Sequence, residues 1–212
     1  MKRLPIAVLI SGRGTNLQAL IDACMRDDFP AQIVKVLSNV PGVYGLERAT
    51  RAGIPTTVLD HKGYDSRDAF DNAVRQTIDE TGAQLICLAG FMRRLGPTFI
   101  AHYRNRILNI HPSLLPAFPG LHVHERVIES GARFSGCTVH FVRAELDSGP
   151  IVLQTAVPVH ANDTAKSLAA RVLNVEHEAF AQAVQWFAEG RITVEDETAL
   201  VDGIEPSQKY LA

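Results

Sequence analysis

The chain has 212 residues, a formal net charge of −2 with histidine neutral, and 46% hydrophobic and 21% charged residues. That is an ordinary globular composition, and its near-neutral balance argues against a nucleic-acid partner, which needs a concentrated basic face. Three widely spaced cysteines, Cys24, Cys87 and Cys137, form no C-x-x-C pair, so a reducing cytoplasmic setting is expected rather than a disulfide framework.

The apolar run after Met1-Lys2-Arg3 ends at Ile10, too short to span a membrane, so no membrane partner is expected. It reads instead as a buried strand, Pro5 to Ile10. Leu17 to Met25 carries Leu17, Leu20, Ile21 and Cys24 at helical spacing. Ile33 to Leu37 is a second strand, and Gly45 to Ala52 a short helix stopped by Gly53 and Pro55. Thr56 to Leu59 is a third strand. Ser66 caps a helix reaching about Glu80, terminated by Gly82. Gln84 to Ala89 is a fourth strand, Pro97 opens a helix to His102, and Arg106 to Ile110 is a fifth strand.

Pro112 to Gly120 holds three prolines and cannot be regular. Val123 to Ser130 reads as a helix. Thr138 to Val142 and Ile151 to Val157 read as strands around the turn Glu145 to Pro150. Asp163 or Thr164 caps a long helix to about Ala188, with Leu168, Val172, Val175, Ala179 and Ala183 at helical spacing. The tail after Asp196 reads as polar and peripheral. Strands alternating with helices imply an α/β fold: Rossmann-like, with a mostly parallel central sheet, helices on both faces and a mixed C-terminal part. A single domain over residues 1–212 is expected, dividing into halves 1–105 and 106–212.

In such sheets ligands gather at the carboxyl ends of the strands. Ser11-Gly12-Arg13-Gly14-Thr15-Asn16 sits there, between the first strand and first helix. Glycines let a ligand approach, and a helix N-terminus offers free N–H groups to an anion such as a phosphate. Neither a P-loop nor the G-x-G-x-x-G dinucleotide fingerprint is present, since Leu17 stands where the third glycine belongs. A tight turn with a cap at Thr15 or Asn16 explains the same residues without a ligand.

Asn109-Ile110-His111-Pro112 ends the fifth strand, and alternation puts Asn109 and His111 on one side. Asp147 lies on the glycine-flanked turn after a later strand. An amide, an imidazole and a carboxylate suit acyl transfer, because the first two can stabilise an oxyanion and a carboxylate favours the charged imidazole. No G-x-S-x-G nucleophile is present, so attack by the substrate's own nucleophile is the expected route. A capping asparagine and a core histidine are the plain alternative. His122 and His124, beginning a helix, face apart, so no metal is expected.

Four long motifs, SGRGTNLQAL, LAGFMRRL, NIHPSLLPAFPGLH and GCTVHFVRAELDSGPIVLQ, occur in order between about Ile6 and Trp186. With them the chain resembles the phosphoribosylglycinamide formyltransferases of the folate-dependent purine pathway. The resemblance implies small-molecule substrates: transfer of a formyl group from the co-substrate 10-formyltetrahydrofolate to the amine of 5'-phosphoribosylglycinamide. It implies that Gly14, Thr15 and Asn16 bind the substrate phosphate and that Glu176 contacts the same substrate. It implies that Arg67, Met92, Arg93, Arg94, Leu95 and Asn109 hold the folate, with Val142 beside Leu95 in an apolar slot. Asn109, His111 and Asp147 match the catalytic trio, Asp147 raising the histidine's pKa. Residues 1–105 would be the phosphate-binding half and 106–212 the catalytic and folate-binding half, in a monomer or homodimer. Arg94, Leu173 and Ala144 depart from the family pattern. Relatives with the same trio, a formyltetrahydrofolate hydrolase and a methionyl-tRNA formyltransferase, would carry an additional N-terminal domain and a basic C-terminal domain respectively. A non-catalytic folate- or nucleotide-binding module is the rival from another class.

Overall fold

The computed structural model of the protein describes residues 3–204. These cluster into two compact units, the first running to Asn109 and taking in Val142–Ala144, the second comprising Ile110–Phe141 and the chain from Glu145 onward.

The first unit alternates strand and helix: β1 (Leu4–Ile10), α1 (Thr15–Cys24), β2 (Ala31–Ser38), α2 (Tyr44–Arg51), β3 (Thr56–Val58), a 3-10 turn (His61–Gly63), α3 (Arg67–Asp79), β4 (Leu85–Leu88), α4 (Pro97–His102) and β5 (Ile107–His111), whose last two residues pass into the second unit. All five strands are parallel in the order β3-β2-β1-β4-β5. The order reverses beside β1, where β2 lies on one flank and β4 on the other. Ligands of open parallel sheets bind at the carboxyl ends flanking such a reversal. Here those ends are Ser11 after β1 and Ala89-Gly90 after β4.

One side of β1 sends Ala7 and Leu9 into a cluster with Leu37, Ile86 and Leu88, closed by Phe70, Val74 and Ile78 of α3 and Phe99 and Ile100 of α4. Each large side chain fully buried there contributes roughly 1.5–3 kcal/mol. Phe91 and Leu95 belong to the same cluster, and Val142 packs against it.

The second unit holds α5 (Val123–Glu129), β6 (Phe134–Phe141), β7 (Ile151–Pro158), α6 (Ala165–Ala188), β8 (Ile192–Glu195) and β9 (Thr198–Val201). β6 and β7 form an antiparallel pair, Phe134 opposite Pro158 and Val139 opposite Leu153. α6 packs on both strands and buries Leu168, Val172, Ala179, Phe180, Ala183 and Val184. Thr164 caps it, accepting from Ser167 N–H while Ser167 reaches back in a capping box.

The α/β, mostly parallel reading holds, with three local corrections. Helix α1 is capped by Gly14 in the left-handed region, not by the Thr15 or Asn16 side chain. β6 starts at Phe134, four residues before the expected Thr138, because pairing with β7 carries it across Gly136. The tail after Asp196 is not merely peripheral: Thr198–Val201 pairs with β8, and β9 touches β7. Residues 205–212 of that tail lie outside the described residues.

Candidate functional site

The glycine loop belongs to the first unit. Gly14 has φ 69° and sits where a Cβ would come within 2.8 Å of Gly45 Cα, so any other residue forces a shift. Gly45 N–H donates to Gly12 O at 3.1 Å, and Arg48 Nε donates to Arg13 O at 3.0 Å. Thus α2 braces the loop from behind, a support the sequence did not announce. No side chain caps α1. Its first-turn N–H groups, at Thr15, Asn16 and Leu17, precede the first intrahelical donor, Gln18 N–H to Gly14 O at 3.0 Å. Such a terminus is suited to an anion.

Arg67 and the stretch Met92–Leu95 are neighbours in this same unit. Arg67 is exposed at the start of α3, after Ser66, whose hydroxyl accepts from Ala69 N–H at 3.1 Å. A Cβ on Gly96 would lie 3.9 Å from Arg67 Cδ. The Arg93 guanidinium lies 5.7 Å from the Phe70 ring centroid, also on α3. Phe91 and Leu95 anchor the stretch by burial, while Met92 and Arg94 are exposed. Arg94 Nη2 reaches Ala144 O at 3.5 Å, so two of the departures from the family pattern meet each other. Asn109 lies half-buried on β5, two residues before His111 on the same side of the strand.

In the second unit His111 and Asp147 come together. His111 is 6% exposed, with Nδ1 3.5 Å from Asp147 Oδ2 and Nε2 3.0 Å from the Phe118 carbonyl. Both ring nitrogens therefore face acceptors. Asp147 Oδ2 also accepts from Gly120 N–H at 2.6 Å. The three-proline loop is thus held against the pair, and it is pinned from the other side as well. Thr138 Oγ1 donates to Ser113 O at 2.6 Å and accepts from Leu115 N–H at 3.0 Å. Gln154 Nε2 donates to Leu115 O at 2.8 Å. Phe118, His122 and Asp147 all adopt left-handed backbone, with φ of 54°, 55° and 48°. Strained positions of this kind concentrate at working sites.

His140 is a neighbour that sequence reading passed over. It is 2% exposed on β6, and its Nδ1 donates to Phe141 O at 3.1 Å. Burial pushes its pKa down; Asp147 opposes that shift and His111 adds to it. Its signal was available in the alternation of Thr138-Val139-His140-Phe141. Glu176 is 8% exposed on the apolar stripe of α6, one turn after Val172 and three residues before Ala179. A carboxylate on a core-facing stripe is unusual, which makes Glu176 a candidate position. Among the described residues no three His, Cys, Asp or Glu side chains gather as metal ligands, and no helix is long and apolar enough to cross a membrane.

The sequence profile of the formyl transferase family matches residues 4–184. Phosphoribosylglycinamide formyltransferase of Escherichia coli (strain K12) is 47% identical over 208 residues, covering 98% of this chain and 98% of that protein. The trifunctional purine biosynthetic protein adenosine-3 of Gallus gallus is 52% identical over 192 residues, and there the chain matches 91% of itself but only 19% of the larger protein. Among solved structures, glycinamide ribonucleotide transformylase 1 from Symbiobacterium toebii superposes with a TM-score of 0.92 at 47% identity, covering 94% of each chain. With the profile spanning most of its length and a relative matched end to end, the chain belongs to the formyl transferase family.

Proposed function

We propose that this chain transfers the formyl group of 10-formyltetrahydrofolate to the amino group of 5'-phosphoribosylglycinamide, giving formylglycinamide ribonucleotide and tetrahydrofolate in purine biosynthesis. The observation that carries this reading is the end-to-end match, at 47% identity, with the Escherichia coli phosphoribosylglycinamide formyltransferase. The paired His111 and Asp147 supply chemistry of the required kind.

In this reading the first-turn amides at Gly14, Thr15 and Asn16 take the substrate phosphate, and Glu176 meets the same substrate. Arg67, the Met92-Arg93-Arg94-Leu95 backbone and Asn109 hold the folate, and Leu95 and Val142 contribute apolar surface. The substrate amine attacks the formyl carbon directly. Charge builds on the formyl oxygen, where the Asn109 amide and the His111 imidazolium stabilise it. The bond from carbon to N10 of the folate then breaks. His111 gives its proton to N10, and the proton lost by the amine is returned to the ring by a relay that Asp147 assists, so the step balances. Asp147 orients the ring and is its counter-ion when charged. No covalent enzyme intermediate is needed. We assign both units to one cytoplasmic formyltransferase domain, acting as a monomer or homodimer on small molecules without metal or nucleic acid.

The test is to follow deformylation of 10-formyltetrahydrofolate with and without 5'-phosphoribosylglycinamide. Loss of the formyl group that depends on the acceptor supports the reading. Equal loss in water alone makes the protein a hydrolase and overturns it.

A further inference from the structure

The Met92–Leu95 stretch has no regular secondary structure. No sheet ladder or helix fixes its amides, so a ligand that reads its backbone needs that backbone held by something else. Two side chains do this, one at each end. Met92 N–H donates to Ser11 Oγ at 2.7 Å, and Gly96 N–H donates to Asp71 Oδ2 at 2.6 Å.

Both acceptors are set for the task. The Ser11 hydroxyl gives its own proton to Asn39 Oδ1, an asparagine 2% exposed. That fixes the hydroxyl's rotation and turns a lone pair toward Met92. Ser11 N–H also donates to Gly90 O at 3.1 Å, stitching the chain after β1 to the chain after β4 at the reversal of strand order. Asp71, one turn along α3 from Arg67, is 5% exposed. Its Oδ1 has no hydrogen-bond partner among the described residues. Burial pushes the Asp71 carboxyl upward, opposed by the Gly96 amide and then by Arg67. A half-satisfied buried acid costs stability, so its presence points to a duty other than packing. Phe91, just before the first clamp, and Leu95, just before the second, are buried, while Met92 and Arg94 are exposed.

We propose that Ser11 and Asp71 are positioning residues for the folate co-substrate, holding the amides at either end of Met92–Leu95 and so setting the backbone shape the folate meets. This rests on the functional reading above. Ser11 directly precedes the glycine loop, so the chain leading into that loop carries one of the two clamps.

The experiment measures tetrahydrofolate affinity by calorimetric titration, together with hydrogen exchange at the Met92 and Gly96 amides, in wild type, Ser11→Ala, Ser11→Thr, Asp71→Ala and Asp71→Asn. Losing one backbone clamp is expected to weaken tetrahydrofolate about tenfold. Exchange should quicken at Met92 in Ser11→Ala and at Gly96 in Asp71→Ala. Ser11→Thr keeps the hydroxyl and Asp71→Asn keeps an acceptor, so both should stay within about twofold of wild type. If Asp71→Ala does not fold, Asp71→Ser, too short to reach the Gly96 amide, takes its place with the same expectation. Faster exchange with unchanged affinity would make the clamps merely structural and overturn the proposal. Asp71→Asn binding as weakly as Asp71→Ala would overturn it in favour of a charge effect. Wild type that transfers formyl groups while the alanine variants bind tetrahydrofolate normally sinks this inference alone. Wild type that binds no tetrahydrofolate sinks the functional reading with it.

Discussion

In the proposed reaction, His111 and Asp147 are the residues on which the chemistry turns. The carboxylate is held by Gly120 N–H as well as facing the ring, and it sits at φ 48°. Asparagine tolerates that backbone better than other residues, so Asp147→Asn removes the charge at little cost to the fold, whereas alanine would add strain. We expect Asp147→Asn and His111→Ala each to lower kcat by roughly 10²–10³-fold, the usual worth of a transition-state donor, with melting temperatures close to wild type. A near-normal kcat in either variant removes that residue from the mechanism. Gly14 makes a different prediction because it serves shape. At φ 69°, with Gly45 Cα 2.8 Å from a would-be Cβ, Gly14→Ala should cost about 1–2 kcal/mol of stability and weaken 5'-phosphoribosylglycinamide binding. Urea unfolding and direct titration check the two parts, and unchanged affinity would detach the loop from the phosphate.

At the scale of elements, α6 packs the second unit and, in the proposed reading, also carries a substrate contact. Its stripe from Leu168 through Val172, Ala179 and Ala183 packs on β6 and β7, and Glu176 interrupts it as a buried carboxylate. A charge buried on a packing stripe costs desolvation free energy, so removing it should not weaken the packing of α6. We therefore expect Glu176→Gln to raise KM for 5'-phosphoribosylglycinamide about tenfold or more, as befits loss of a charged hydrogen bond, without lowering the melting temperature. A lower melting temperature with KM unchanged would return Glu176 to a structural part. The elements also show what was readable in the residues alone. Helical spacing made α1 and α6 plain, Ser66 and Gly82 bracketed α3, Pro97 opened α4, and of the two caps offered for α6, Asp163 and Thr164, the second is used. The hairpin of β8 and β9 was missed because its turn is Asp196-Glu197, both left-handed at φ 45° and 60°, with no glycine to signal it. The Gly14 cap was missed because a left-handed glycine leaves no side-chain signature.

For the molecule as a whole, the reading of residues reached the alternating fold, the glycine loop and the Asn109, His111 and Asp147 positions, while Arg67, Met92–Leu95 and Glu176 came from the family resemblance. Their supports escaped it: Gly45 and Arg48 behind the loop, Ser11 and Asp71 at the ends of Met92–Leu95, and His140 near His111. The first four act through contacts distant in sequence, which no local pattern encodes, whereas His140 was visible in the alternation of β6. His140 also gives the fold a pH dependence. Burial pushes its pKa below the ordinary 6.5, and the half-buried His124 is shifted the same way for the same reason. The unfolded chain therefore takes up protons at pH values where the folded chain does not. The stability from these neutral rings is complete above about 6.5 and is lost as pH falls from there toward the depressed folded values. In His140→Asn, whose amide can still donate to Phe141 O, the fall in melting temperature from pH 7.5 to 5.5 should be smaller by about 2–4 °C for each kcal/mol of linkage removed. Parallel curves would contradict that assignment. The most direct test of the account as a whole follows the carbon itself. With 10-formyltetrahydrofolate labelled at the formyl carbon, NMR should show the label appearing as an amide on 5'-phosphoribosylglycinamide in step with tetrahydrofolate formation. Label released as formate, or left on the folate while the acceptor is present, would contradict it.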